Sequence, residues 1–278
     1  MSRVLRYLSR CSAYLIALLV GLAAGTHAAT WGMYKDAPHE GFSRRKYARS
    51  PLLGLGLGAL VQALTGLDPH RSADLVLLFG VIYAAERAVA EIYKTFLREE
   101  DQAKYFIPMQ FHVLGRVVQS RPARWLVGAL YTAGLAGMAV AVGSLARAME
   151  RPPAIATVLL VGGVGGWISA LGGAWKDAPS EGFQTLKFFR SPALAVLFAA
   201  GLSVLSHDLL VVTLAAAGFT IASTETYKTF AFPSKPRGKF AGMPVHYPEM
   251  LRYRRHFVPV YVAIWAAVVA AVIGATHG

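Results

Sequence analysis

Eight apolar stretches recur along the chain, separated by polar blocks. They cover residues 11–29, 52–66, 74–92, 125–146, 154–174, 193–206, 209–226 and 257–275. A helix needs about 20 residues to cross the hydrocarbon core of a bilayer. The pattern therefore predicts an all-α integral membrane protein with about eight transmembrane helices. The second and sixth stretches are short, so each is either a re-entrant hairpin or a helix that the neighbouring polar block extends.

The composition supports a membrane protein. Apolar residues make up 55% of the 278 residues and charged residues only 15%, with a mean hydropathy of +0.45. A soluble domain carries about 25% charged residues, which argues against an ordinary water-soluble protein. The single cysteine, Cys11, can form no disulfide within the chain, so a disulfide scaffold is excluded.

The charge balance adds information about partners. The formal net charge is +13, with 28 Lys and Arg against 15 Asp and Glu, and in a soluble protein this excess would suggest nucleic acid. Beside a bilayer, basic loops set orientation and contact anionic lipid. The chain has no basic module interleaved with aromatic residues. The sequence therefore predicts membrane lipids, and not nucleic acid, as partners.

The basic residues also predict an orientation. With eight crossings, 21 of the Lys and Arg fall in the loops 30–51, 94–124, 176–192 and 228–256 on one face, against six on the other face. This bias would vanish if the two short stretches did not cross. The positive-inside rule therefore favours eight crossings with the four basic loops in the cytoplasm. A bacterial inner membrane suits the short loops and the basic bias.

The first apolar stretch allows a second interpretation. It has a basic start, an apolar middle and small residues near Ala28, as a cleaved secretory signal does. The argument against cleavage is that residues 154–174 form a corresponding stretch in the second half of the chain. We therefore expect the first stretch to be retained.

An internal duplication is the most specific signal in the sequence. Two loop blocks, residues 35–51 and 176–192, match at a constant offset of 141 residues. Each begins with Lys-Asp-Ala-Pro, continues to Glu-Gly-Phe and ends in Arg-Ser-Pro. Duplication of loop-forming residues would explain the prolines and glycines, but it explains the matched charges poorly.

A second pair of blocks follows the third and seventh apolar stretches. These helix-end blocks, residues 91–96 and 225–230, read Glu-Ile-Tyr-Lys-Thr-Phe and Glu-Thr-Tyr-Lys-Thr-Phe. Each is followed by a basic–aromatic step, Lys104-Tyr105 or Lys239-Phe240. The duplicated unit therefore contains four spans. We expect two tandem four-helix repeats, residues 1–147 and 148–278, in parallel orientation about an axis along the membrane normal.

Prolines and glycines predict local structure within the repeats. Pro38 and Pro179 can start turns, and Gly41 and Gly182 permit a tight backbone. The Gly-Gly-Val-Gly-Gly run at residues 162–166 lies inside an apolar stretch. It is better interpreted as close helix packing than as a phosphate loop.

The loop blocks combine carboxylates and cations. Carboxylates four residues apart can hold Mg²⁺ together with water, and Lys and Arg bind phosphate oxygens. The candidate catalytic residues are Asp36, Glu40, Asp177 and Glu181, with Asp36 and Glu40 as magnesium ligands. The candidate phosphate-binding residues are Lys35, Lys46, Arg49, Lys94, Lys104, Lys176, Lys187, Arg190, Lys228 and Lys239. The alternative is a network of salt bridges in which these charges neutralise one another.

Other polar residues leave alternatives open. Glu91 can pair with Lys94 on one helix face. Glu86 and Arg87 lie deep in the third stretch, where ionisable groups are costly and face the bundle interior or a wet cavity. They have no counterparts in the seventh stretch, so the first half is the better candidate for chemistry. His112 and His246 could act as bases or metal ligands, or could be ordinary interfacial histidines.

The order of the blocks resembles that of the membrane CTP:lipid-phosphate cytidylyltransferases, which make CDP-diacylglycerol or CDP-archaeol. That family has a Lys-containing segment that ends in Glu-Gly before a span, and residues 35–42 are similar. In the family's second signature, Lys94 matches the lysine, Asp101 the aspartate seven residues later, and Arg116 the final arginine. The resemblance covers about forty residues and implies Asp101 as a third magnesium ligand. Gly115 stands where the family has a metal-binding aspartate.

Three functional hypotheses follow. The first is a cytoplasm-facing site for a phosphate-bearing lipid or nucleotide, with Mg²⁺-dependent transfer on a lipid phosphate. The second is a transporter or flippase of an anionic lipid-linked substrate, in which the two halves rock against each other. The third is a non-catalytic subunit of a larger membrane complex. The oligomeric state, including a homo-oligomer, stays open.

Overall fold

A computed structural model describes residues 3–149, 151–233 and 238–277, and side chains from residue 8 onward. Lys235 and Arg237, which belong to the fourth basic loop, lie outside the described residues. The helices are α1 (Arg3–Glu40), α2 (Arg44–Thr65), α3 (Ser72–Ile92), α4 (Arg121–Ala148), α5 (Ile155–Gly162), α6 (Val164–Glu181), α7 (Thr185–Leu202), α8 (Leu209–Phe230), α9 (Glu249–Tyr253) and α10 (Phe257–His277). A π-helical turn (Tyr93–Leu97) follows α3, and a 3₁₀ turn (Arg254–His256) links α9 to α10. A hairpin of β1 (His112–Val113) and β2 (Arg116–Val117) lies between α3 and α4.

The prediction of an all-α membrane protein is supported. Six helical segments among the described residues are long and apolar enough to cross a bilayer: Leu8–Glu40, Arg121–Ala148, Ile155–Glu181, Thr185–Leu202, Leu209–Phe230 and Glu249–His277. Helices α2 and α3 have 22 and 21 residues but are more polar. Helix α3 contains Asp74, Glu86, Arg87 and Glu91.

The two short apolar stretches are parts of longer helices. Helix α2 begins at Arg44 and α7 at Thr185, so each helix starts inside its loop block. The Ser43 side chain accepts a hydrogen bond from the Lys46 backbone N–H and caps α2. At about 1.5 Å per residue, α2 is about 33 Å long. The interpretation of a helix extended by the polar block is therefore correct in both halves.

The prolines of the loop blocks do not start turns, contrary to the sequence-based expectation. Pro38 lies inside α1 and Pro179 inside α6, and both helices continue for two more residues. The turns come at Gly41 and Gly182, whose φ angles of 74° and 76° suit glycine. The fixed φ of proline is a helical value, but the residue has no N–H donor and its ring clashes with the carbonyl of residue i−4, and both helices end two residues later.

Glycines allow close packing of α1 against α2 and of α6 against α7. A Cβ atom on Gly25 of α1 would lie 2.1 Å from the Ser50 carbonyl oxygen, and one on Gly166 of α6 would lie 2.5 Å from the Ser191 carbonyl oxygen. Gly166 and Ser191 each lie 141 positions after their counterparts Gly25 and Ser50. The interpretation of residues 162–166 as a packing surface is thus correct at Gly166.

Helices α3 and α8 form the centre of the bundle. A Cβ atom on Gly218 would lie 1.9 Å from the Gly80 carbonyl oxygen, so the two backbones touch. Fully buried apolar residues surround this crossing, among them Leu77, Ile82 and Ala215. The helix-end blocks follow α3 and terminate α8, so this crossing fixes the positions of the two blocks relative to each other.

Candidate functional site

The loop blocks and helix-end blocks of both halves meet at one end of the bundle. Lys35 of the first loop block lies 3.5 Å from Glu225 of the second helix-end block. Reciprocally, Lys176 of the second loop block lies 3.6 Å from Glu91 of the first helix-end block. Each half thus supplies an ammonium group to a carboxylate of the other half. All four blocks border one polar mouth.

Ion pairs within each half repeat the same pattern. Lys46 pairs with Glu40 in the first loop block, and Lys187 lies 2.6 Å from Glu181 in the second. The helix-end blocks pair Glu91 with Lys94 and Glu225 with Lys228. All eight candidate lysines contact a carboxylate: Lys35, Lys46, Lys94, Lys104, Lys176, Lys187, Lys228 and Lys239. Much of the predicted phosphate-binding charge is therefore already neutralised.

The first loop block is covered by a segment from the second half, residues 238–248, which we call the strap. The Lys239 ammonium of the strap lies 2.8 Å from the Asp36 carboxylate and 3.1 Å from that of Glu40. The Tyr247 backbone N–H donates to the Pro38 carbonyl oxygen over 3.0 Å. The His39 ring stacks on Phe240 with its centroid 4.5 Å away. The strap thereby fills the mouth of the first half.

The second loop block instead borders an open cleft between α6, α7 and α8, with a cavity volume of about 80 Å³. Its charged lining consists of Asp177, Lys187, Arg190, Glu225 and Lys228. Smaller or uncharged residues line it where the first half has bulkier ones. Ala174 corresponds to Met33, and Ile221 corresponds to Arg87. The cleft lies where the interior side chains are small, and the hairpin that contacts this loop block at Trp175 and Pro179 does not line it.

Arg190 has a special position in this cleft. Its guanidinium lies 5.8 Å from the centre of the Tyr227 ring, and its Nε atom is buried without a hydrogen-bond partner. No carboxylate of the described residues lies within ion-pair distance of Arg190. Thr224 is only 7% exposed, and its Oγ1 atom also lacks a partner. The cleft thus offers a free guanidinium and a free hydroxyl, while Asp177 and Glu181 hold Lys187 at 2.6 Å.

Arg49, the counterpart of Arg190, lies 5.8 Å from the centre of the Tyr93 ring. It is exposed rather than set in a cleft. The two arginines therefore keep the same aromatic contact in different surroundings. Of the ten candidate cations, only Arg190 combines partial burial in a cleft with freedom from a carboxylate among the described residues.

The candidate magnesium ligands do not come together as a set. Asp36 and Glu40 are neighbours, but they surround the Lys239 ammonium. Asp101 is exposed, and its Oδ1 accepts a hydrogen bond from the Ala103 backbone N–H. Across the described ranges, no group of three or more His, Cys, Asp or Glu side chains is placed to hold a metal ion. Magnesium binding therefore stays a prediction, and at this pair it would require Lys239 to move.

The deep pair of α3 is buried and self-contained. Arg87 donates to Glu86 through Nε and a terminal nitrogen over 2.6 Å and 3.0 Å, and Glu86 is fully buried. The Arg87 guanidinium lies 5.4 Å from the centre of the Trp31 ring. Trp31 in turn donates its indole N–H to the Tyr83 hydroxyl over 2.9 Å. The predicted interior position is therefore correct, but the pair does not line the open cleft.

Lys94 of the π-helical turn lies among several charges. Burial lowers the pKa of Lys94 to about 8; the carboxylate of Glu91 opposes this shift, and the positive charges of Arg87 and Lys176 add to it. Positive charge is thus crowded where the two halves meet. A ligand that brings negative charge would relieve that repulsion.

The two candidate histidines have different environments. His112 of β1 is buried and stacks on Trp175 of α6, with ring centroids 4.5 Å apart. Burial lowers the pKa of His112, and the charge of Lys176 adds to the effect. His246 in the strap is exposed. Since His112 fixes the hairpin against α6, its contacts fit a structural role.

Sequence reasoning missed polar residues both at the mouth and in the bundle interior. Glu100 accepts a hydrogen bond from the Tyr105 hydroxyl over 2.9 Å and pairs with Arg98 at 2.6 Å. Burial opposes ionisation of Glu100, but the Lys104 hydrogen bond and the Arg98 charge outweigh it and lower the pKa. His27 is fully buried, and its Nδ1 lies 3.1 Å from the Tyr83 hydroxyl. The only available sequence signal was a polar residue within an apolar or basic run.

Comparisons of the chain with family models, curated proteins and solved structures found no match. The resemblance to the membrane cytidylyltransferases is thus neither supported nor contradicted by them. Function has to be argued from the geometry of the site.

Proposed function

We propose that the protein consists of two parallel four-helix repeats, residues 1–147 and 148–278, with eight membrane crossings. Supporting observations are the contacts that recur at the duplication offsets, such as Gly25 with Ser50 and Gly166 with Ser191. The reciprocal pairs Lys35–Glu225 and Lys176–Glu91 agree with a pseudo-two-fold axis between α3 and α8. An even number of spans per repeat places all four polar blocks on one face.

We further propose that the second half binds the phosphate-bearing headgroup of a membrane lipid in the cleft. The observation that carries this proposal is Arg190, a cation in an open cleft without a carboxylate partner among the described residues. A guanidinium binds phosphate oxygens through two parallel hydrogen bonds. Lys228 lies at the same wall, where it pairs with Glu225 at 3.2 Å, and the Thr224 hydroxyl can donate to a third oxygen.

The surroundings of the cleft favour a lipid over a nucleotide. Phe183 lines it and is 62% exposed, and the neighbouring Leu186 and Phe189 are 90% and 51% exposed. Large exposed apolar groups beside a polar pocket are stabilised by contact with acyl chains at a membrane interface. A lipid can place its phosphate in the cleft while its chains cover this rim.

The orientation and the reaction remain parts of the proposal. The excess of basic residues in the four loops supports our proposal that the mouth faces the cytoplasm, and we propose a bacterial inner membrane. If the lipid phosphate is a substrate for transfer, the candidate carboxylates are Asp177, which lines the cleft, and Glu181, which shares Lys187 with it. Incubation of the purified protein with CTP, Mg²⁺ and a lipid phosphate tests transfer by mass spectrometry. Failure to form a new product would remove the reaction and leave binding to be judged separately.

The binding test compares Arg190→Gln with wild type. In detergent, delipidated protein should bind phosphatidylglycerol, measured by native mass spectrometry or a fluorescent-lipid assay. Loss of a charge-assisted hydrogen bond costs about 1.5–3 kcal/mol, so binding should weaken at least about tenfold. Arg252→Gln is the matched control because Arg252 is an exposed arginine 5.1 Å from the centre of the Tyr253 ring. Equal binding by both variants and wild type would reject the cleft as the site.

Transport is a second candidate function, supported by the buried polar residues of α1 and α3. His27, Tyr83, Glu86 and Arg87 are all buried in the bundle interior, where polar groups are costly and mark substrate or proton pathways. Sealed vesicles containing the protein would show movement of a labelled lipid between leaflets without covalent change. A transfer enzyme or a simple lipid-binding subunit would produce no such movement.

A further inference from the structure

The strap provides an internal example of what the loop-block carboxylates bind. In the first half, two carboxylates, Asp36 and Glu40, contact two ammonium groups, those of Lys46 and Lys239. Lys239 comes from the other half of the chain, and its side chain is only 14% exposed. A primary ammonium with three N–H donors suits this pair. Charge is balanced there.

Within the described part of the chain, the corresponding pair in the second half, Asp177 and Glu181, has one ammonium partner. Asp177 and Glu181 both contact Lys187 at 2.6 Å, and no other cation of the described chain reaches them. The lysine that corresponds to Lys239 is Lys104, and Lys104 is paired with Glu100 instead. Among the described residues, one negative charge of the second carboxylate pair therefore lacks a positive counterpart.

The cleft thus carries unbalanced charges of both signs. The carboxylate pair has an excess negative charge, and Arg190 has no carboxylate partner among the described residues. Asp177 and Arg190 line the same cleft. The buried and unpartnered Thr224 Oγ1 in its wall is a further polar group to be satisfied. A ligand with only a negative group would satisfy Arg190 and leave the carboxylates unbalanced.

From this arrangement we propose that the cleft recognises an aminophosphate headgroup, the phosphoethanolamine of a membrane phospholipid. Its primary ammonium contacts Asp177 and Glu181 as Lys239 contacts Asp36 and Glu40, and its phosphate contacts Arg190 and Lys228. This inference rests on the lipid-binding function proposed above and names the lipid class. Phosphatidylcholine has no N–H donor on its quaternary ammonium, so it cannot form the hydrogen bonds that Lys239 forms.

A comparison of lipids tests the proposal on the purified full-length protein. Dissociation constants for phosphatidylethanolamine, phosphatidylcholine and phosphatidylglycerol with matched acyl chains are measured by native mass spectrometry. Phosphatidylethanolamine should bind at least about tenfold more tightly than phosphatidylcholine. If the two bind equally while phosphatidylglycerol binding still depends on Arg190, the aminophosphate proposal fails and the lipid-binding function stands. If none of the three binds, both fail.

Substitution of the carboxylates identifies the ammonium site. Asp177→Asn should reduce the preference for phosphatidylethanolamine over phosphatidylcholine to less than about threefold, while binding of phosphatidylglycerol is retained. Glu181→Gln is a second variant with the same expectation if Asp177→Asn does not fold. The control is Glu249→Gln, an exposed carboxylate of α9 that does not line the cleft. A preference that survives both cleft substitutions would overturn the proposal.

A soluble headgroup separates the two sources of an aminophosphate. Glycerophosphoethanolamine should compete for the cleft much more weakly than the intact phospholipid, because it lacks the chains that would cover Phe183 and its apolar neighbours. Competition by the soluble compound at the same concentration as the lipid would overturn the assignment to a membrane lipid.

Discussion

The two loop blocks share most of their sequence and their internal ion pairs, yet one is covered and the other is open. In the first half, Lys239 of the strap completes the charge of Asp36 and Glu40. In the second half, Lys187 is the one cation of the described residues that pairs with Asp177 and Glu181. Both copies have thus kept the charged motif, but they differ in the cations that pair with its carboxylates. In one copy of a repeated charged motif, the protein itself supplies the second ammonium partner, whereas the other copy is available to a ligand.

Two sequence differences account for the contrast. Side chains that fill the first half are reduced in the second, as at Met33 and the corresponding Ala174, which lines the cleft. The basic–aromatic steps also behave differently, because Glu100 lies close enough to hold Lys104. Among the described residues, the carboxylates that pair with Lys239 both belong to the other half. The open cleft is therefore produced by a few substitutions in an otherwise matched frame.

Filling the cleft should have the largest effect on this contrast. A Cβ atom at Gly173 would meet nothing within 4 Å, and the residue lines the cleft. Gly173→Leu should therefore be tolerated but should weaken lipid binding at least about tenfold by occupying the space. The corresponding Gly32 of the first half also has open space around its Cβ position, so Gly32→Leu is the matched control. Similar lipid affinities for the two variants would show that the cleft does not hold the lipid.

Removing the strap cation, Lys239, should destabilise the protein more than removing the corresponding Lys104. Lys239→Gln leaves Asp36 and Glu40 with one ammonium, and loss of a largely buried partner should lower the free energy of unfolding by about 1–3 kcal/mol. Lys104→Gln removes a more exposed lysine, which is 36% exposed, and should cost only about 0–1 kcal/mol. Thermal unfolding in detergent measures both variants. A larger loss for Lys104→Gln would contradict the role assigned to the strap.

The smallest expected effect concerns Lys94 and pH. The pKa of Lys94 is about 8 in the folded protein, against the ordinary lysine value of 10.5, so between these values the unfolded chain binds more protons. The contribution of Lys94 to stability should therefore rise as pH increases from about 8 to 10.5. Lys94→Gln should flatten this part of the stability profile, measured as melting temperature against pH. An unchanged slope of melting temperature against pH would show that Lys94 is not the group whose loss of a proton stabilises the protein in this range.

Sequence reasoning could predict the features that depend on local pattern. Hydrophobic periodicity indicates the membrane helices, and the duplicated motif indicates which blocks correspond. The glycine at the end of each loop-block helix is also predictable, because Gly41 and Gly182 have positive φ. Proline was misleading, because the sequence alone does not distinguish Pro38 in a final helical turn from one that starts a new turn.

The partners of the charges could not be predicted from the sequence. An ion pair depends on a separation of a few ångströms, and Lys239 lies about two hundred positions from Asp36. Nothing in the sequence shows that Lys104 stays within its own loop while Lys239 crosses to the other half. The sequence also favoured the first half as the site of chemistry, because Glu86 and Arg87 have no counterparts in the second half. The open cleft lies in the second half, and its position depends on packing that the sequence does not show.

The central claim is that the cleft of the second half binds the headgroup of a phospholipid. The most direct measurement is a cryo-electron microscopy map of the protein in nanodiscs that contain phosphatidylethanolamine. We expect density for a phosphate within hydrogen-bonding distance of Arg190, and none at the strap-covered mouth of the first half. A well-resolved cleft without lipid density, or equal density at Arg49, would contradict the account.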